Sequence, residues 1–214
     1  MADGRVVRKA SELLADDAVI VAEAAHPWVG RGALKLDHAL TVWPIPVVGR
    51  TVLDVGASTG GFTEVCLSRG AARVYAVDVG RGQLHPKIAA DPRVVALEAT
   101  DARSLNRALI PEPPTLIVAD VSFIGLAKAL PAALALAAPG ANFVALVKPQ
   151  FEVGPGRVGR GGLVNNPTAR AAAREGVEAF LAHSGWRLRG STESPIAGGD
   201  GNRETLLWAQ STTA

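Results

Sequence analysis

The residues best suited to bind a nucleotide lie together in the segment TVLDVGASTGG, from Thr51 to Gly61. Its apolar, β-branched start predicts a buried strand over 51–55, and the glycines that follow predict a tight turn into a helix over 61–69. In an open parallel α/β sheet, a glycine-rich turn at the carboxyl end of a strand forms a nucleotide-binding crevice. A tight turn without any ligand is the alternative interpretation.

A carboxylate at the end of the next strand favours a bound ribose. This strand is predicted over 73–77 and ends at Asp78, which lies 22 residues after Gly56. An acidic residue about 20 positions beyond the glycine turn is placed to accept hydrogen bonds from ribose hydroxyls. We therefore expect Asp78 to bind a ribose.

The charge beside the turn distinguishes between classes of nucleotide. Asp54 lies two residues before Gly56, and Ser58 stands where a dinucleotide fingerprint prefers its second glycine. A carboxylate here would repel a pyrophosphate but would attract a ligand that carries an ammonium group. S-adenosylmethionine has an ammonium, a sulfonium and no phosphate, so the sequence predicts this cofactor rather than NAD.

Polar residues follow three further strands and are expected at the same crevice. The strands are predicted over 94–97, 115–119 and 142–147, and the residues that follow them are Asp101, Asp120 and Lys148. Because ligands bind outside the carboxyl ends of parallel strands, Asp101 could meet an adenine amino group, and Asp120 and Lys148 would lie beside the ligand. The alternatives are a turn cap for Asp101 and a structural ion pair for the other two.

The segments between these residues alternate between strands and helices. Helices are predicted near 34–40, 83–90, 124–138 and 167–184, and closing strands over 186–191 and 205–210. Strands joined by helices of this length imply right-handed crossovers and a parallel sheet. We therefore predict an α/β, Rossmann-like fold with a mostly parallel seven-stranded sheet and helices on both faces.

The composition is that of a folded domain and leaves the substrate open. The chain has 214 residues, of which 48% are hydrophobic and 20% charged, with a net charge of +2. Such a weak positive charge is compatible with RNA and with a small-molecule substrate. The opening segment is polar and charged, so a cytoplasmic location is expected. The apolar region 126–147 contains two prolines and is expected to form a helix, a turn and a strand rather than a membrane span.

A loop of glycines and arginines is predicted over 153–166. It is longer than a mere connection in a compact domain, and Arg157 and Arg160 on it suit phosphate contacts or a lid over the substrate. Arg31 and Arg81 are the other arginines that we expect around the mouth of the crevice. A solvated loop without function is the alternative.

Five motifs together resemble one family: DVGASTGGFT, AVDVGRGQL, ADVSFI, LVKPQFE and GNRE. They are similar to motifs of the TlyA (hemolysin-A) family of FtsJ-like RNA 2′-O-methyltransferases, and the similarity runs over about residues 26–210. The resemblance implies the fold and activity of an S-adenosylmethionine-dependent methyltransferase that acts on RNA, above all ribosomal RNA. No metal site is expected. The predicted cofactor-binding residues are Asp54, Gly56, Ser58, Gly60, Gly61, Phe62, Asp78, Asp101 and Asp120.

The resemblance also implies a catalytic tetrad of two lysines, an aspartate and a glutamate. The matching positions here are Lys35, Asp120, Lys148 and Glu204. A ribose 2′-hydroxyl is a poor nucleophile, so methyl transfer is helped by a positioned base and by in-line alignment. We predict that Lys148 is the base and that Asp120 orients it. Lys35 would favour the neutral form of Lys148, and Glu204 would complete the polar network. A purely positioning role for Lys148 is the alternative.

The resemblance also predicts a domain organisation, and two alternative functions remain open. The family carries an amino-terminal RNA-binding module, of which only the closing part fits before residue 26, so we expect a short extension over 1–25 and a methyltransferase domain over 26–214. A small-molecule methyltransferase on the same fold would have a closed apolar cavity instead of an arginine-lined mouth. A non-catalytic protein that binds RNA or a membrane is the remaining alternative.

Overall fold

The computed structural model describes residue 5, residues 13–15 and 17–19 and, without a break, residues 26–213. The extension expected over 1–25 therefore lies largely outside the described residues.

Seven strands of the described part of the chain form one sheet. They are β1 Thr51–Val55, β2 Arg73–Val77, β3 Val94–Leu97, β4 Leu116–Ala119, β5 Asn142–Val147, β6 Trp186–Glu193 and β7 Thr205–Ser211. Their order is β3-β2-β1-β4-β5-β7-β6. The first five in this order are parallel, and β7 runs antiparallel to both of its neighbours. The predicted, mostly parallel seven-stranded sheet is confirmed, and its switch point lies between β1 and β4.

The helices lie on both faces of this sheet, as predicted. They are α1 Ala33–Val42, α2 Gly61–Ser68, α3 Pro86–Ala89, α4 Leu126–Ala129, α5 Pro131–Ala135, α6 Pro149–Glu152 and α7 Pro167–His183. The single helix predicted over 124–138 is wrong, because it is divided into α4 and α5. Pro131 has no backbone N–H to continue a helix, and it occupies the first position of α5, where none is needed.

Two apolar clusters hold the helices against the sheet. Val52 of β1 packs in the cluster under α1, α2 and α3, whereas its neighbours Leu53 and Val55 pack in the cluster under α4, α5 and α7. This alternation buries both faces of the strand and fixes the position of its end. The polar residues that follow the parallel strands are therefore held at one edge of the sheet.

No helix among the described residues has the length and apolar character that crossing a membrane requires. The apolar region 126–147 consists of α4, α5, a turn and β5, so the predicted turn and strand are present and two helices replace the predicted one.

Candidate active site

Gly56 brings the ends of β1 and β4 into contact. Its φ is +85°, and a Cβ at this position would lie 2.8 Å from the carbonyl oxygen of Asp120. A side chain here would therefore strain the turn and displace the end of β4. The close approach of the two strand ends places Asp120 directly beside the turn.

Asp78 holds the turn from the neighbouring strand. Its Oδ2 accepts a hydrogen bond from the backbone N–H of Ser58 at 2.8 Å, and its Oδ1 accepts one from Gly80, also at 2.8 Å. Each carboxylate oxygen has lone pairs for a second donor. Asp78 can thus brace the turn and still accept hydrogen bonds from a ribose.

A cavity of about 590 Å³, here called the larger cavity, lies outside the ends of β1, β2 and β4. Five of the predicted cofactor-binding residues line it: Gly56, Ser58, Asp78, Asp101 and Asp120. Its apolar wall includes Val79, Phe123 and Ile124. Three carboxylates beside an apolar wall suit a cationic ligand with a flat ring system and do not suit a pyrophosphate.

Asp101 performs the capping role that the sequence left open. It accepts a hydrogen bond from the backbone of Arg103 at 2.8 Å and so caps the 3-10 turn Ala102–Ser104. The guanidinium of Arg103 pairs with the carboxylate, and these hydrogen bonds lower the pKa of Asp101 to about 2. The side chain still faces the larger cavity, so capping and a contact with a ligand are compatible.

Asp54 lies beneath the turn rather than in a cavity wall. It is fully buried, and its Oδ2 accepts a hydrogen bond from the Thr63 hydroxyl at 2.6 Å. Among the described residues, its Oδ1 has no hydrogen-bond partner. Burial raises the pKa of Asp54 from its ordinary value of 3.8 to about 7. The sequence predicted that Asp54 contacts the cofactor, but the buried side chain does not line the larger cavity.

Gly60 is needed for the packing of α2, whereas the two residues that follow it line a second cavity. Gly60 precedes α2 with a φ of +94°, and a Cβ there would meet Leu84 Cδ1 at 2.9 Å, so Gly60 serves the packing of α2. Gly61 and Phe62 line a second cavity of about 180 Å³, here called the smaller cavity.

The two cavities share part of their walls. The shared residues are Gly56, Ser58, Asp120 and Ser122. Lys148 and Arg31 line the smaller cavity alone. A ligand in the larger cavity can therefore present a group to Lys148 across this common wall.

The four predicted catalytic residues form two ion pairs, one buried and one partly buried. Lys148 Nζ lies 2.7 Å from Asp120 Oδ1, and Lys35 pairs with Glu204. Burial raises the pKa of Glu204, while the hydrogen bond and the charge of Lys35 oppose this effect. The charges of Asp120 and Lys148 also act on Glu204, so the four groups share one electrostatic environment.

Helix α1 delivers Lys35 to this cluster. Lys35 is only 7% exposed, and α1 packs against α2 through buried residues such as Leu36. Gly32 precedes α1, and a Cβ there would lie 3.4 Å from Asp120 Oδ2, so the start of the helix lies against the end of β4. The position of Lys35 thus depends on tertiary packing between α1 and the sheet.

Only one of the four predicted RNA-binding arginines reaches a cavity. Arg31 lines the smaller cavity and donates a hydrogen bond to the carbonyl of Ala197 at 3.3 Å. Arg81, Arg157 and Arg160 are exposed and line neither cavity. They belong to the surface outside the crevice.

The sequence analysis missed Ser122 and Phe123. Lys148 Nζ donates a hydrogen bond to Ser122 Oγ at 2.8 Å. Phe123 is 92% exposed with a φ of +68°, and its ring lies 5.4 Å from that of Phe151. A signal was available, because both residues directly follow a strand end that carries a candidate catalytic aspartate. An exposed aromatic ring in a strained backbone conformation is typical of a binding surface.

Comparison with known proteins agrees with this geometry. The family model of FtsJ-like methyltransferases matches residues 28–211. The 16S/23S rRNA (cytidine-2′-O)-methyltransferase TlyA of Mycobacterium tuberculosis is 50% identical over 194 residues, which are 91% of this chain and 72% of that protein. Hemolysin A of Brachyspira hyodysenteriae is 36% identical, over 94% of this chain and 84% of that protein. A solved structure described as a hemolysin from Streptococcus thermophilus is 42% identical with a TM-score of 0.85, over 88% of this chain and 69% of that chain.

Proposed function

Because this chain belongs to the FtsJ-like methyltransferase family, we propose that it methylates a ribose 2′-hydroxyl of ribosomal RNA. It is an S-adenosylmethionine-dependent methyltransferase. The name of the Mycobacterium tuberculosis relative gives cytidine 2′-hydroxyls of 16S and 23S rRNA as the target of that protein. The observation that carries our proposal is the position of Lys148, which is held by Asp120 and Ser122 and lines a cavity that adjoins the larger one.

The larger cavity is the proposed site of S-adenosylmethionine. When bound, this cofactor supplies a sulfonium methyl group. Asp78 would accept hydrogen bonds from its ribose hydroxyls, Gly56 would lie beneath its methionine part and Asp101 would face its adenine. Asp54 would act from below, by fixing α2 under the turn through Thr63. Asp101 is paired with Arg103 and Asp120 with Lys148, so Asp78 is the carboxylate of this wall that supports the choice of a cation over a phosphate.

We propose that Lys148 is the general base. A neutral amine has two N–H groups and one lone pair. Ser122 Oγ accepts one N–H at 2.8 Å, and Asp120 Oδ1 lies 2.7 Å from the nitrogen. Because Lys148 lines the smaller cavity, its lone pair would accept the proton of a 2′-hydroxyl there as the carbon–oxygen bond forms and the carbon–sulfur bond breaks.

The size of the smaller cavity favours RNA over a free metabolite. Its volume of about 180 Å³ suits a ribose but not a whole nucleotide. Sites that enclose a small molecule usually measure roughly 300–1,000 Å³. Most of the substrate would therefore lie outside, on the surface around Phe123 and Arg31.

The surface around this mouth has the side chains that single-stranded RNA requires. The Phe123 ring is free to stack on a splayed-out base, and Arg31, Arg81, Arg157 and Arg160 would contact phosphates. Structured RNA in an assembled ribosomal subunit should then be a better substrate than a short oligonucleotide, since a preformed shape presents the target nucleotide.

Methyl transfer with labelled S-adenosylmethionine tests the proposal. The acceptors are ribosomal subunits, free ribosomal RNA, short oligonucleotides and a metabolite extract, and Lys148→Ala is the inactive control. We expect label in the RNA, at a position that resists alkaline hydrolysis because the methylated 2′-oxygen cannot attack its phosphate. Label on a base or in the metabolite fraction would contradict the proposal.

The salt dependence of RNA binding tests the arginine contacts. Four phosphate contacts predict a log–log slope of magnitude roughly 3 on single-stranded RNA, and the double variant Arg157→Ala/Arg160→Ala should reduce it by about 1.4. Arg187→Ala is the matched control, because Arg187 is exposed on β6 and is not one of the four. A slope that the double variant leaves unchanged would remove this loop from the RNA surface.

A further inference from the structure

Asn202 is a buried amide in the turn between β6 and β7, two residues before Glu204. Its residue is 2% exposed. Its Oδ1 accepts a hydrogen bond from the backbone N–H of Val164 at 2.8 Å, and its Nδ2 donates to the carbonyl of Gly162 at 2.8 Å and to Asp200 Oδ2 at 2.9 Å. Both donors and the acceptor of the amide are thus paired.

The first two of these bonds reach the loop 153–166, here called the arginine loop. Gly159 donates a backbone hydrogen bond to Leu163 at 2.8 Å, which closes the turn that carries Arg160. Asn202 holds the end of this turn through Gly162 and Val164, and Val164 itself is buried. The amide of Asn202 is therefore one of the side chains that hold the loop carrying the exposed Arg160 against the rest of the protein, together with Arg170, which donates hydrogen bonds to the carbonyls of Val164 and Asn165.

The third bond reaches the segment that carries the proposed base. Asp200 Oδ2 also accepts a hydrogen bond from Gln150 Nε2 at 3.0 Å, and Gln150 lies two residues after Lys148. On the other side, Asn202 leads directly into Glu204. Asn202 thus joins the segment of Arg160 directly to that of Glu204, and Asp200 and Gln150 extend this connection to the segment of Lys148.

A buried asparagine that merely stabilises a loop would need partners in that loop alone. Here the direct partners lie in the arginine loop and in the turn before Glu204, and Asp200 of that turn also binds Gln150 on the segment of Lys148. The amide of Asn202 is itself buried and fully paired, so its loss would leave the buried N–H of Val164 without this partner.

We propose that Asn202 is a positioning residue that couples the arginine loop to the catalytic lysine and glutamate. A phosphate bound by Arg160 then places the target ribose at a fixed distance from Lys148. This inference rests on the proposed function, since it requires RNA as the substrate.

A double-mutant cycle tests the coupling. The variants are Asn202→Leu, which has a similar volume but no amide and no charge, Arg160→Ala, and the two combined. KM and kcat are measured on the RNA that the unchanged protein methylates, and the affinity for S-adenosylmethionine is measured by calorimetry. We expect each single change to raise KM about tenfold, the scale of one lost charge-assisted hydrogen bond, and to alter cofactor affinity less than twofold. In the Asn202→Leu background, Arg160→Ala should have no further effect.

Ser194→Ala is the control for a general effect of this turn. The Ser194 hydroxyl donates a hydrogen bond to the carbonyl of Ile196 within the turn rather than to the arginine loop, so its effect should multiply with that of Arg160→Ala. If Asn202→Leu does not fold, Asn202→Asp, which keeps the acceptor for Val164, replaces it in the same cycle. Absence of methyl transfer to any RNA by the unchanged protein would defeat the proposed function. Transfer with multiplicative effects of Asn202 and Arg160, or an Arg160→Ala variant with unchanged KM, would overturn the coupling alone.

Discussion

The buried carboxyl of Asp54 should make the stability of this protein depend on pH near neutrality. Burial raises its pKa from 3.8 to about 7. As the pH rises between these values, the unfolded chain has already lost the proton while the folded protein keeps it. The free energy of unfolding therefore falls over this interval, by about 1.4 kcal/mol per pH unit and about 4 kcal/mol in all. The stabilising contribution is complete below about pH 4 and is lost above about pH 7.

Asp54→Asn isolates this contribution, because an amide does not titrate and still offers an oxygen to Thr63. Chemical denaturation at several pH values from 5 to 8 measures the free energy of unfolding of both proteins. We expect the parent to lose about 3 kcal/mol more than the variant over this range, whatever their difference at pH 5. Asp101→Asn is the matched control, since the pKa of Asp101 is about 2 and its carboxyl is ionised in both states throughout this range. Parallel pH profiles for parent and Asp54→Asn would refute the argument that Asp54 is neutral in the folded protein.

Four further predictions concern the site. Lys148→Ala should lower the methyl-transfer rate about 100-fold or more with little change in cofactor affinity, and Lys148→Arg should not restore it because a guanidinium stays protonated, so an active arginine variant would favour a positioning role. Ser122→Ala should lower kcat about tenfold, whereas Ser122→Thr, which keeps the hydroxyl, should have the kcat of the parent. Equal kcat values for Ser122→Ala and the parent would exclude Ser122 as a partner of the base. Asp78→Ala should weaken S-adenosylmethionine binding by roughly 1.5–3 kcal/mol in titration calorimetry, and equal affinities would remove Asp78 from the site. Phe123→Gly and Phe123→Ala should both raise KM for RNA about 5-fold or more, because each loses the stacking ring. In thermal unfolding the glycine variant should be more stable than the alanine variant by about 0.5–1 kcal/mol, because glycine adopts the positive φ without strain. The opposite order of stability would contradict the strained backbone.

The sequence by itself determined the order of the elements and most of their bounds. β1, β2, β3 and β5 begin and end at the predicted residues, because each is a short apolar run between glycine, proline or polar residues. The glycine turn, Asp78 and the strand-end residues Asp120 and Lys148 could be predicted for the same reason. Parallel strands end at one edge of a sheet, so residues that are distant in the chain meet there.

Packing and burial were decided only by the tertiary structure. Asp54 and Asp78 both lie near the turn, yet Asp54 is under α2 and Asp78 is in a cavity wall. The reason is that Asp54 lies within β1, where α2 covers it, whereas Asp78 lies one residue beyond the end of β2. Two arginines that the sequence treated alike also differ, since Arg31 lies beside α1 at the smaller cavity and Arg157 lies on the exposed loop. Lys35 and Glu204 came from family resemblance alone, and their pairing requires α1 and β7 to pack against the same strand ends. Local sequence patterns specify helices, strands and turns, but which side chains are buried together depends on contacts between residues up to 169 positions apart.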